Sequence, residues 1–87
     1  VADLRRVERD YRGMTRALAS AGGIAEQAGR LQAAGNYLYR AGRSAAQRDD
    51  PQARDWLRRA INAGARSGDT ALVREAEAIL PPAEAPR

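Results

Sequence analysis

Apolar and small residues recur along this chain every three and four positions, the spacing that lines one face of an α-helix. In the first stretch Leu4, Val7, Tyr11, Met14, Leu18 and Ala21 fall on one stripe, with Arg5, Arg9, Arg12 and Arg16 nearly opposite. Gly22-Gly23 follows, and glycine takes the left-handed turn that closes a helix without steric cost. The pattern predicts a helix over about 2–21. Ile24, Ala28, Leu31, Gly35, Leu38, Gly42 and Ala45 repeat the spacing and predict a second helix over about 24–48. Inside a helix each glycine costs about 1 kcal/mol relative to alanine. Gly35 and Gly42, seven apart on the inner stripe, therefore point to close approach of a neighbouring backbone. A rival reading breaks the segment at Gly35-Asn36; the close-approach reading carries the helix through.

Asp49-Asp50-Pro51 is the strongest punctuation. A carboxylate before a proline at the first helical position caps free N–H groups where proline has none to offer. A third helix is expected over 51–66, burying Ala53, Trp56, Leu57, Ala60 and Ala63 or Gly64. Ser67-Gly68-Asp69 ends it, and a fourth over 70–80 buries Leu72, Val73, Ala76, Ile79 and Leu80 before Pro81-Pro82 stops it. Nothing alternates with the period of a strand. The expected fold class is all-α, one domain over 1–80, with short turns making consecutive helices antiparallel neighbours. Residues 81–87, rich in proline and without apolar period, read as a flexible tail.

Composition narrows the chemistry. Among 87 residues there are 15 arginines and no lysine, with no cysteine, histidine or phenylalanine. A thiol nucleophile, an imidazole base and the usual zinc ligands are all missing. Ser20, Ser44, Ser67, Thr15 and Thr70 have no histidine or lysine to activate them. Asp49 and Asp50 are caps before they are an acid–base pair, and Glu75 and Glu77 fall on opposite sides of a helix. No catalytic residue, cofactor site or metal site is assigned, and the chain reads as a non-enzyme. Uncharged stretches such as 17–25 fall far short of the ~20 apolar residues of a membrane span. Arginine to the exclusion of lysine is what a GC-rich genome writes and points to a bacterial source. Cytoplasm and periplasm both suit a chain without cysteine. A start at Val1, within helical pattern, reads as a processed product, a fragment or an excised domain.

The net charge is +4, carried by the first half. Residues 1–48 hold nine arginines against four acids, residues 49–87 six against seven. A basic half suits an acidic protein face or a phosphate backbone. Arg5, Arg9, Arg12 and Arg16 make a basic helical nucleic-acid-binding domain the alternative reading, although Asp3, Glu8 and Asp10 partly cancel their field. Leu4, Val7, Tyr11, Met14 and Leu18 also repeat as a coiled-coil seam, through which a homodimer is possible. With 20 alanines the core is thin, so stability is expected to lean on self-association or a partner helix. Trp56 is expected as a core anchor. On the second predicted helix Tyr37 and Tyr39 flank Leu38, and with Arg40 and Arg43 they form the candidate partner surface, since tyrosine and arginine carry much interface energy.

The register of Leu38, Gly42, Ala53, Leu57 and Ala60 resembles the tetratricopeptide repeat, a helix–turn–helix unit of about 34 residues with small residues at its helix crossing. The resemblance spans roughly residues 35–80. It departs from the pattern where Ala45 replaces a tyrosine, where no proline follows Ala60, and in a spacing from Gly42 to Ala53 one residue short. It implies a helical array that binds a peptide or helix of a partner protein, as an adaptor or assembly factor without catalysis.

Overall fold

The computed structural model describes the backbone of residues 2–81 and the side chains of residues 10–81. The described chain is all-helical: α1 spans Ala2–Gln27, α2 Leu31–Gln47, α3 Gln52–Ser67 and α4 Thr70–Ile79. Two of the expected boundaries move. The first helix does not stop at Gly22-Gly23 but runs on to Gln27, and the second starts at Leu31 rather than at 24. Ile24 and Ala28, expected on the inner face of the second helix, are exposed: Ile24 belongs to α1 and Ala28 to the turn that follows it. Gly22 stays helical because it is buried beneath Leu38; a Cβ there would lie 2.6 Å from Leu38 Cγ. Helix α2 passes unbroken through Gly35-Asn36. The Pro-rich tail from Pro82 onward lies outside the described residues.

The real terminator of α1 is Gly29, at φ 77°. Its N–H donates to the Glu26 carbonyl (3.1 Å) and that of Arg30 to the Ala25 carbonyl (2.9 Å). This pair of bonds around one left-handed residue is the Schellman closure. The same pair ends α2, where Asp49 N–H reaches Ala46 and Asp50 N–H reaches Ala45. It also ends α3, where Gly68 N–H reaches Ala65 and Asp69 N–H reaches Gly64. Asp49 takes the left-handed position at φ 56°, which aspartate tolerates better than most residues with a Cβ. Helix starts follow at once. Asp50 Oδ1 accepts from Gln52 N–H at 2.9 Å, so the acidic cap expected before Pro51 forms, and Asp69 Oδ1 accepts from Leu72 N–H at 3.1 Å and caps α4.

Helices α1 and α2 run antiparallel, with Tyr11 against Arg48, Thr15 against Ser44 and Gly22 against Leu38. Helix α3 packs along a second face of α2, where Gly42 meets Leu57 and Gly35 approaches Gly64, and Ala25 of α1, Ala34 of α2 and Ala63 of α3 meet in one cluster. Helix α4 closes on α3 and touches α2 through Leu72 at Gly35. Leu38, Ala41, Ala45, Ala53, Trp56 and Ala60 form the main core cluster. The predicted glycine approach holds: a Cβ on Gly42 would lie 3.1 Å from the Leu57 backbone nitrogen. No room for a groove remains at that seam. All the residues expected inward on α3 are buried. On α4 only Leu72 and Ala76 are buried, while Val73 and Leu80 are half-buried and Ile79 is exposed.

The face of α1 is rotated from the expected stripe. The residues turned to α2 are Thr15, Gly22 and Ala25, all buried, with Tyr11 and Leu18 half-buried beside them. Met14 is 53% exposed. Two forces set this rotation. Leu38 fits only where α1 has no side chain, and Thr15 has a hydroxyl partner in Ser44. Leu4 and Val7 of the expected stripe lie outside the described side chains, as do Arg5 and Arg9.

Candidate functional site

The α1–α2 pair presents two different flanks. On one flank two clefts follow one another along the described part of the pair and together make a groove. Its first half is lined by Ala21, Ile24, Ala25, Ala28, Arg30, Ala33 and Tyr37. The second half continues toward the other end with Tyr11, Met14, Leu18, Arg40, Arg43, Ser44 and Gln47. Ile24 is 66% and Tyr37 37% exposed. Three arginines and no acid line this groove. Glu26, between Ala25 and Ala28 in sequence, does not line it and pairs instead with Arg59 of α3.

On the opposite flank Arg12, Thr15 and Arg16 of α1 face Trp56 of α3 across a cleft that also holds Ala45, Arg48, Asp50 and Pro51. Trp56 is buried at its floor and belongs to the core cluster, as expected of an anchor. Arg59 Nη2 donates to Glu26 Oε1 at 2.6 Å and ties α3 to the end of α1. The Arg48 guanidinium lies over the Tyr11 ring, 3.9 Å from its centroid. This flank is therefore of mixed charge and largely committed to holding helices together. An adjoining cleft carries Asp49 and Asp50 beside Arg12 and Arg48.

Between the flanks sits a buried polar lock. The Thr15 hydroxyl donates to the Tyr11 carbonyl at 2.8 Å and lies 3.0 Å from Ser44 Oγ. With the single Thr15 proton given to Tyr11, the Ser44 hydroxyl donates to Thr15. Neither side chain was marked by sequence as anything but an unactivated hydroxyl. Their spacing on two separate helices carries no local signal.

The four residues of the expected partner surface do not stay together. Tyr37, Arg40 and Arg43 line the α1–α2 groove. Tyr39 is half-buried and packs against the core cluster. It lies two residues and therefore some 200° around the helix from Tyr37, and it is a structural side chain rather than an exposed one. The groove recruits instead Met14, Leu18, Ala21 and Ile24, which the sequence pattern had turned inward. Among the described residues no cluster of acidic side chains could hold a metal ion, and no helix is long and apolar enough to cross a membrane. No protein-family model, curated protein or solved structure matches this chain significantly.

Proposed function

We propose that this chain is a non-enzymatic protein–protein interaction module, an adaptor or assembly factor, which docks a helix or peptide of a partner protein in the α1–α2 groove. The observation that carries this reading is the row of Met14, Leu18, Ala21, Ile24, Ala28, Ala33 and Tyr37 along two successive clefts between packed helices. Single exposed apolar residues are ordinary; a contiguous strip rimmed by charge marks an interaction surface. The architecture we propose is a tetratricopeptide-like array. Its support is the alike closure of three successive turns at Gly29, Asp49 and Gly68, and the seating of Leu57 against Gly42 at the helix crossing.

Capture of proteins from a cell extract by the immobilised chain tests this, run beside Ile24→Asp. Partners retained by the parent, lost on the variant and still held when salt rises from about 0.1 M to 0.5 M support a largely apolar protein interface. Retention of nucleic acid that collapses steeply over that range supports the basic nucleic-acid-binding alternative and sinks this one.

A further inference from the structure

Resting on that interaction reading, we infer that the α1–α2 groove takes an acidic amphipathic helix of a partner protein, with carboxylates at both ends and an apolar face between. Three features of the groove select this occupant. Its walls are two helices, whose backbone N–H and C=O groups are already bonded within themselves. An extended peptide laid there would find few partners for its own main chain, whereas a helix brings its bonds with it. The apolar strip runs from Met14 of α1 to Ala28 in the turn just past its end. At 1.5 Å per residue that is about 21 Å, or four turns of a docked helix. Ala21, Ala28 and Ala33 keep part of the floor low, and Met14, Ile24 and Tyr37 stand up as ridges for a helix to straddle.

Charge then chooses among helices. Arg30 stands at the end bounded by Ala28 and Ala33, and Arg40 and Arg43 at the end bounded by Met14 and Leu18. Helix α2 contains no acidic residue at all. Guanidinium groups at both ends, with no carboxylate lining the groove, match acidic residues spaced some three to four turns apart. A second copy of this chain fits poorly. Its own groove would set six arginines face to face. Its one helix with more acids than arginines, α4, has ten residues and buries its apolar Leu72 and Ala76 within the fold.

The test is selection of peptides of about 16 residues from a random displayed library on the intact chain. Synthetic winners are then titrated against the parent, Ile24→Asp and the double variant Arg40→Glu/Arg43→Glu. Winners are expected to space apolar residues three and four apart, to carry Asp or Glu toward both ends and to gain helical circular dichroism on binding. Each variant, shown to be folded by its own spectrum, should weaken binding by roughly tenfold or more. Lysine in place of the peptide acids should restore affinity for the double variant. Basic or extended winners overturn the inference. Winners indifferent to Ile24→Asp overturn it too, but leave the module reading standing with its site elsewhere. If no peptide is enriched, both readings fall. They also fall together if Ile24→Asp instead abolishes binding to phosphatidylcholine–phosphatidylserine vesicles, or turns a dimer into a monomer by sedimentation.

Discussion

The two seams of α2 are built from the same device and put to different use. On each, a glycine of one helix receives a leucine of the next: Gly42 takes Leu57 from α3, and Leu38 of α2 enters at Gly22 of α1. At the α2–α3 seam a Cβ on the glycine would also come within 3.1 Å of the opposite backbone nitrogen, against 3.4 Å at the α1–α2 seam. The first is a backbone-to-backbone approach, walled by Ala45, Ala53, Ala60 and Leu57. The second leans on directional contacts, Thr15 with Ser44 and Arg48 over Tyr11, and leaves Met14 and Ile24 in solvent. Tight apolar packing leaves nothing over for a partner. A seam held by a few placed polar contacts keeps its register and still presents an apolar ledge.

Thermal or urea unfolding of single variants sharpens the contrast, and the largest loss is expected at the α2–α3 seam. Leu57→Ala empties a fully buried position and should cost about 3–5 kcal/mol, enough to leave little cooperative transition. An ordinary melting point for this variant would show that the seam repacks. Next comes Gly42→Ala, expected to destabilise by about 2 kcal/mol despite the better helix propensity of alanine, because the Leu57 backbone must retreat. Gly22→Ala should cost less, since mainly the Leu38 side chain has to move; equal losses at the two glycines would erase the distinction drawn between the seams.

On the α1–α2 side, Thr15→Val should cost about 1–3 kcal/mol by leaving the Ser44 hydroxyl buried and unpaired. Adding Ser44→Ala should recover part of that loss, a coupling that a double-mutant cycle reads directly. The same logic gives Tyr39→Ala a lower melting temperature, from lost packing on the core, where Arg43→Ala leaves stability alone. The smallest change expected in stability has the opposite sign. Gly13 lies within α1, and a Cβ added there would meet nothing within 4 Å, so Gly13→Ala should stabilise by about 0.5–1 kcal/mol. A loss there would mean that something packs on that face.

The residues of the chain determine a good deal unaided. Helical periodicity, the cap at Asp50, the turn at Ser67-Gly68-Asp69 and the inward face of α3 all depend on local preference or on a single strong stripe, and each is legible at short range. The close approach at Gly35 and Gly42 is legible too, because a glycine kept inside a helix needs a reason. Other choices belonged to the tertiary structure. Gly22-Gly23 carries the strongest local stop signal in the first half, yet it stays helical because Leu38 fills the space, and the chain turns instead at Gly29. Met14 outranks Thr15 in hydrophobicity, yet Thr15 faces inward because a hydroxyl on another helix meets it there. Tyr37 and Tyr39 look equivalent in sequence and part company once the neighbouring helices pack on α2: Tyr37 lines the α1–α2 groove and Tyr39 packs on the core. Local preferences amount to about 1 kcal/mol per residue, while one seated leucine outweighs several of them, so helix rotation and the place of the first turn were decided by packing.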